Sequence, residues 1–376
     1  MTTTLTRIEL AGYRSIASLD LRLGRTTVLI GANGSGKSNL LSFLQLVPQM
    51  RTQSLRLFVG RAGGANALLH RGVRKTPELR FRIEATAGDG HDTAYAGSLG
   101  GAGGDSLIFV DERVEARNPG ELLFVGKSLG AGHAESQLEP SAKNAAFFPA
   151  KEVRAWVMRM NFFHFHDTSQ NSPLRSHGRQ EEDRYLKSDG SNLAPYLYAL
   201  SRGESASYRS AWARITGLVR RVAPFIAQLE PTLVAPDAPE RSVVRLDWVD
   251  ELGDRYGVHQ LSDGTLRAIA LITALAQPVE NLPSFIAIDE PELGLHPSAL
   301  ALICGLVKSV SAHAQIVVAT QSPALLDEFE PMDVVVVERR DGATTMERLD
   351  LDKLSAWLEE YSLSEIWDKN VFGGRP

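Results

Sequence analysis

Hydrophobic and polar positions alternate over the first thirty residues and then change period. Leu5-Thr6-Arg7-Ile8-Glu9-Leu10 and Leu19-Asp20-Leu21-Arg22-Leu23 each gather apolar side chains on one face, which predicts half-buried strands. Thr26-Thr27-Val28-Leu29-Ile30 is a short apolar run, the pattern of a fully buried strand. A helix is predicted from Lys37 to Leu46. Residues 78–115 predict antiparallel strands around Leu79–Glu84, Ala94-Tyr95 and Leu107–Val110, with Gly97–Gly104 as a flexible hairpin tip. A helix over Lys151–Met160 leads into an apolar strand, Asn161-Phe162-Phe163-His164-Phe165-His166, and then a polar loop from Asp167 to Gly190. Helices are predicted at Asn192–Ser201, with Ser191 as N-cap, and at Ser207–Phe225, followed by a strand at Val243–Val249. From residue 261 helices and strands take turns: Leu266–Ala276, Phe285–Asp289, Ala299–Val310, Gln315–Thr320 and Asp333–Arg339. Strands separated by helices imply parallel pairing with right-handed crossovers. The expected class is α/β, with an antiparallel β subdomain and an inserted, mainly helical lobe.

Composition adds few constraints. The chain of 376 residues is 43% hydrophobic and 23% charged, enough apolar material for a sizeable core. Its single cysteine, Cys304, allows no intrachain disulfide and no Cys-rich metal site, which suits a reducing compartment. No apolar run of signal-peptide length opens the sequence, and no stretch of about 18 apolar residues marks a membrane span. A cytoplasmic protein without membrane contact is the expectation. The formal net charge is −5, but it is unevenly spread. Residues 1–85 hold 13 Lys and Arg against 4 Asp and Glu, whereas residues 279–376 hold 7 against 17. This is either a solvated surface with local bias or a basic face that attracts phosphates, of nucleotide or of DNA.

Three segments carry chemistry. Gly31-Ala32-Asn33-Gly34-Ser35-Gly36-Lys37-Ser38 fits the G-x-x-x-x-G-K-[ST] phosphate loop and stands where it must, after a buried strand and before a helix. Its glycines let backbone N–H groups curl around a phosphate, and the helix N-terminus adds positive potential. Lys37 is placed to reach the β- and γ-phosphates, and Ser38 to ligate Mg²⁺. Ser284-Phe285-Ile286-Ala287-Ile288-Asp289-Glu290-Pro291 is a buried strand ending in two carboxylates. Asp289 suits the metal, directly or through water, and Glu290 suits acceptance of a proton from attacking water. Leu261-Ser262-Asp263-Gly264-Thr265 precedes a helix. Taken alone it is an N-capping turn with Ser262 or Asp263 as the cap. Beside a phosphate loop it gains a second reading, a turn that meets phosphate with the Ser262 hydroxyl while Gly264 permits close backbone approach.

Together these segments resemble the ATP-binding-cassette (ABC) heads of RecF, SMC and OLD-type ATPases, over nearly the whole chain. Ile8–Ser15 is similar to that group's first strand and turn, Gly31–Ser38 to its Walker A loop, Leu261–Thr265 to its signature and Asp289-Glu290 to its Walker B pair. Glu292-Leu293-Gly294-Leu295-His296-Pro297 resembles the segment that follows in the RecF/OLD-like branch, and Ala319–Pro323 falls where the group has its switch residue. The tail from Leu354 to Pro376 resembles small stand-alone ATPases of this kind. The resemblance implies a P-loop NTPase fold in which lobe I joins residues 1–166 to 258–376 around lobe II, residues 167–257. It implies ATP and Mg²⁺ as cofactors, with Asn33, Gly34, Ser35, Gly36, Lys37, Ser38, Asn39 and Arg14 at the nucleotide. Ser38 and Asp289 would hold the metal, and Lys37, Glu290 and Gln321 would serve catalysis. Ser262 and Gly264 would act on the nucleotide of a second protomer. ATP-driven head-to-head homodimerisation, hydrolysis and separation follow from it.

Some positions depart from the group. Asp263 stands where transporters have Gly, and Gln321 stands where the switch residue is usually His. A Gln can hydrogen-bond a phosphate or water but carries no charge, so slow turnover is expected. Arg51 is a loose candidate for a further arginine near the γ-phosphate, and His166–Gln170 lies near where the group has a Gln-containing loop. His164 and His166 read as a packed, hydrogen-bonded pair rather than metal ligands. Arg51, Arg56, Arg61, Arg71, Arg74 and Lys75 form either a DNA-facing surface or the solvated edge of the antiparallel sheet. OLD relatives carry a nuclease domain after the head. Here about 55 residues follow Gln321, so a separate nuclease or effector protein is the expected partner. The competing reading is a regulatory subunit that holds a complex together and hydrolyses ATP slowly or not at all. DNA repair and phage defence both remain open as settings. A kinase or GTPase is disfavoured by the signature turn and by the lack of a guanine-reading Asn/Thr-Lys-x-Asp segment.

Overall fold

The computed structural model describes residues 3–144, 148–234 and 242–374, so Met1, Thr2, Arg375 and Pro376 at the ends of the expected lobe I lie outside the described residues. Two compact units divide the chain. The first comprises Met1–Asn161, Pro283–Ala287 and Ala314–Pro376, and the second Phe162–Leu282 and Ile288–His313. This division differs from the expected 1–166, 167–257 and 258–376. The helix Asp263–Ala276 packs on the helices Ala206–Val222 and Pro297–Ser311, and that packing groups the signature and the carboxylate pair with the inserted lobe.

The first unit holds one complete sheet and the greater part of a second. In one, β1 (Thr4–Tyr13), β2 (Ile16–Arg22), β4 (Glu78–Thr86), β5 (Asp92–Ala102), β6 (Ser106–Arg117) and β7 (Val125–Gly130) run antiparallel in the order β2-β1-β4-β5-β6-β7. The other contains β3 (Thr26–Ile30), β8 (Met160–Phe163), β13 (Phe285–Asp289), β14 (Gln315–Thr320), β15 (Val334–Arg340) and β16 (Ala343–Arg348), in the order β16-β15-β3-β14-β13-β8. As the alternation of helices and strands predicted, β3 pairs in parallel with β14 and with β15. Every residue of β3 and β14 is buried, which accounts for their apolar centres, Val28–Ile30 and Ile316–Ala319, and for the absence of charge in either strand. The helix Lys37–Arg51 covers the antiparallel sheet through Phe43, whose ring lies 5.7 Å from Tyr13 and 5.8 Å from Phe81. The glycines expected in a hairpin tip are mostly strand residues. Gly97, Gly100 and Gly101 lie in β5, where a Cβ on Gly97 would strike the Asp111 carbonyl and one on Gly101 the Val73 side chain.

The second unit is less helical than expected. Beside the helices Leu193–Arg202 and Ala206–Val222 it holds a sheet of β9 (Gly178–Arg179), β10 (Ile226–Val234), β11 (Val243–Asp250) and β12 (Arg255–Gly257). Trp248 of β11 packs against Phe225 and stacks on Tyr256, with centroids 5.5 and 4.6 Å away. The first helix starts one residue later than predicted. Asn192 precedes it, and its side chain bonds the preceding loop at Lys187, Glu182 and Tyr185 instead of capping. Among the described residues, no helix is long and apolar enough to cross a membrane.

Candidate functional site

In the first unit β3 delivers the chain to the loop Gly31–Gly36 and the helix Lys37–Arg51 leaves it. Gly34 (φ 77°) and Gly36 (φ 113°) are left-handed, a conformation that strains any residue with a Cβ. A Cβ on Gly31 would strike the Val337 carbonyl, and one on Gly36 the Thr344 hydroxyl. Asn33, Gly34 and Ser38 are exposed, whereas Ser35 and Lys37 are each only 4% exposed. Lys37 Nζ donates to the carbonyls of Gly31 (2.5 Å) and Ala32 (3.0 Å). The loop is braced from outside. Thr344 Oγ1 donates to the Ser35 carbonyl at 2.7 Å and lies 2.6 Å from Ser15 Oγ, to which Asn39 Nδ2 donates at 2.6 Å. The Gly374 carbonyl accepts the Ala32 N–H at 3.0 Å. Arg14 (φ 47°) reaches within 3.5 Å of Asn39 Oδ1. Gln321 follows β14, and the register Thr320↔Ile30 sets this exposed residue level with Gly31 on the neighbouring strand. Arg14, Asn39 and Gln321 are thus gathered at the loop.

In the second unit Asp289 ends β13 and Glu290 follows at φ 44°, a left-handed conformation uncommon for residues with a Cβ. Asp289 Oδ1 is buried without a hydrogen-bond partner among the described residues. An orphaned carboxylate oxygen of this kind fits a cation ligand. The Asp289 carbonyl lies 2.9 Å from His166 Nε2, and the ring centroids of His164 and His166 are 4.0 Å apart at a tilt of 32°, in keeping with the packed pair expected in preference to metal ligands. Desolvation holds His164 below the usual histidine range, helped by His166 and opposed by Asp289 and Glu290.

Ser262 and Asp263 are exposed, while every residue from Leu266 to Ala276 is buried. Ser262 is the N-cap: its Oγ accepts the Thr265 N–H at 3.2 Å and lies 2.8 Å from Thr265 Oγ1. A Cβ on Gly264 would strike the Gly294 carbonyl, so this glycine permits close approach to a neighbouring loop of its own chain. Two buried arginines that sequence reasoning missed hold the turn. Arg175, 3% exposed, donates from Nε to the Thr168 carbonyl (3.0 Å) and from Nη1 to that of Val258 (2.7 Å). Its Nη2 reaches the Leu261 carbonyl (3.2 Å) and Asp263 Oδ1 (2.9 Å). Arg267, 5% exposed, donates to the carbonyls of Phe165 (2.8 Å), His166 (2.9 Å) and Leu293. Burial pushes Arg267 below its ordinary range, against the pull of Asp263 and Glu290. A lone charge inside the apolar run Leu266–Ala276 was a usable signal for Arg267; Arg175, in a polar loop, gave none.

Residues 163–327 match the family described as "AAA domain, putative AbiEii toxin, Type IV TA system", and residues 3–58 match a family described as a protein of unknown function, DUF2813. Arcadin-4 of Pyrobaculum calidifontis is 26% identical over 237 residues, covering 58% of this chain and 29% of Arcadin-4, so the match spans less than a third of that relative. Among solved structures, an SMC head bound to the C-winged helix domain of ScpA superposes with a TM-score of 0.62 at 15% identity, covering 94% of this chain and 99% of that one. The Smc head with an extended coiled coil bound to the C-terminal domain of ScpA, from Pyrococcus furiosus, gives 0.59 at 14% identity over 95% and 99%. The fold is that of an SMC-type ATPase head. It bears out the RecF/SMC-like, ABC-type architecture that the motifs suggested.

Within this SMC-like head two expectations change. Arg51 is no γ-phosphate candidate, because it ends the 15-residue helix that begins at Lys37, about 20 Å from the loop. It pairs with Glu139 at 3.3 Å instead. The basic cluster is also partly engaged, since Arg71 donates to the Asp341 carbonyl at 2.7 Å. Arg56, Arg61, Arg74 and Lys75 are exposed.

Proposed function

We propose that this SMC-like head is an Mg²⁺-dependent ATPase that closes head to head with a second copy around two ATP molecules and reopens after hydrolysis. The observation that carries this reading is the signature turn: Ser262 and the N-terminus of its helix are exposed, yet Arg175 and Arg267 hold the turn rigidly from beneath. A helix N-terminus kept outward and fixed is suited to a phosphate arriving from outside the chain. In this reading Asn33 to Asn39 cradle the triphosphate with their backbone N–H groups, Arg14 approaches the nucleotide, and Lys37 releases its carbonyl partners to bind the β- and γ-phosphates. Ser38 and Asp289 hold Mg²⁺, which supplies charge neutralisation on the phosphate oxygens. Water attacks the γ-phosphorus in line, the bond to the ADP oxygen breaks, and the water proton passes to Glu290. Gln321 orients water or phosphate by hydrogen bonding. Gly264 lets its helix dock against the loop at Gly294, and Ser262 completes the site of the other protomer. The bound γ-phosphate then acts as the glue of a two-state clamp.

The same reading places the protein in the cytoplasm, with its output passed to a separate effector protein. The family description of residues 163–327 names a toxin system and the solved SMC heads are bound to ScpA domains, which supports control of a partner protein. Phage defence suits this better than DNA repair. The regulatory reading, in which hydrolysis only resets the complex, is favoured by Gln321. The test is Glu290→Gln with saturating ATP, followed by mass in solution. A stable dimer is expected, and Ser262→Arg should abolish it while sparing ATP binding to the monomer. A monomeric Glu290→Gln protein under these conditions refutes the clamp.

A further inference from the structure

We infer that Arg175 is the positioning residue of the phosphate-facing signature turn, acting through Asp263; this rests on the proposed meeting of that turn with the ATP of a second protomer. Asp263 presents a problem for such a meeting. Its side chain is 68% exposed at the N-terminus of the helix Asp263–Ala276, where a carboxylate suits the helix dipole but repels an incoming triphosphate. Arg175 resolves it from below. Its Nη2 lies 2.9 Å from Asp263 Oδ1, so the carboxylate is paired and drawn to the side of the turn. The guanidinium is 3% exposed, which keeps it from touching phosphate itself.

The remaining donors of Arg175 fix the backbone. They reach the carbonyls of Val258 and Leu261, just ahead of Ser262, and that of Thr168 on the segment that follows the histidine pair. One planar group therefore ties three stretches of chain, which only the rigid fork of an arginine can span. Ser262 Oγ depends on this arrangement, because the residue before it is the one whose carbonyl Arg175 holds. A Gly at position 263 would need no such partner, and the arginine is what makes an acidic residue compatible with phosphate there.

The experiment uses the full chain with Glu290→Gln as background. Arg175→Met, with Arg175→Lys as the variant that keeps charge and volume should Met prevent folding, is compared with the background for three quantities: ATP affinity of the monomer, melting temperature, and the protein concentration at which ATP drives dimerisation. The expected result is at least a tenfold rise in that concentration with monomer ATP affinity unchanged within twofold. Unchanged dimerisation overturns the inference. So does a parallel loss of ATP affinity and melting temperature, which marks a merely structural arginine. If the Glu290→Gln background itself stays monomeric, the clamp reading fails instead, so the two failures are distinguishable.

Discussion

A glycine can be required by its own backbone angle or by a neighbour that its missing Cβ would strike, and the phosphate loop and signature contain both kinds. Gly34 has open space around it and is needed only for its φ of 77°. Gly264 is needed for space, since a Cβ there would meet the Gly294 carbonyl. Gly34→Ala should therefore cost about 1 kcal/mol, the penalty of a left-handed alanine. Gly264→Ala should cost more, about 1–3 kcal/mol, because backbone must move to admit the methyl group. Chemical denaturation of the two variants reads this order, and a reversed order would show that the Gly264–Gly294 approach is not close. Gln321 is a second residue with a measurable consequence. It sits level with Gly31 without the charge that a switch histidine could carry. Gln321→His should raise the steady-state ATPase rate, and an unchanged or lower rate means that slow turnover has another cause.

Among elements, the helix Asp263–Ala276 makes the sharpest demand on its surroundings. It is buried along its length from Leu266 onward, and Arg267 carries a charge into that burial to serve the carbonyls of Phe165, His166 and Leu293. Arg267→Met would leave these carbonyls unpaired. The expected loss of stability is about 2–4 kcal/mol, read as a fall in the denaturation midpoint with an unchanged slope. A loss below about 0.5 kcal/mol would mean that water satisfies those carbonyls as well as the arginine does. Such elements differ in how far they could be read from sequence. The runs Thr26–Ile30 and Gln315–Thr320 were legible because strands buried on both faces carry no charge and keep an apolar centre, Val28–Ile30 and Ile316–Ala319, with polar residues only at their ends. β10 was missed because Pro231 interrupts its pattern, which an edge position in the order β10-β11-β12 tolerates. The phosphate loop, carboxylate pair and signature were legible as local motifs. Arg175, Thr344 and Gly374 were not, since each meets its partner across a long sequence separation that no local pattern records.

For the whole molecule, the question that charge raises is whether nucleic acid is a ligand. The chain is net negative at −5, so any affinity for DNA must come from a local face rather than from overall charge. The basic segment is the candidate, with fewer available cations than its sequence promised. Arg51 is paired with Glu139, and Arg71, though exposed, gives a donor to the Asp341 carbonyl, which leaves Arg56, Arg61, Arg74 and Lys75 as the other exposed cations of the cluster. Four phosphate contacts per protomer would lower affinity on the order of a hundredfold between about 50 and 200 mM salt, and a closed dimer would steepen this further. Duplex binding should accordingly be strongest for Glu290→Gln with ATP at low salt. Arg56→Glu with Arg61→Glu should flatten the salt dependence without changing the ATPase rate, since both residues lie beyond the phosphate-loop helix Lys37–Arg51. Binding with the expected slope would make the clamp a DNA-responsive device. No binding at low salt, with or without ATP, removes the DNA face and leaves control of a separate effector protein as the output of the ATP switch.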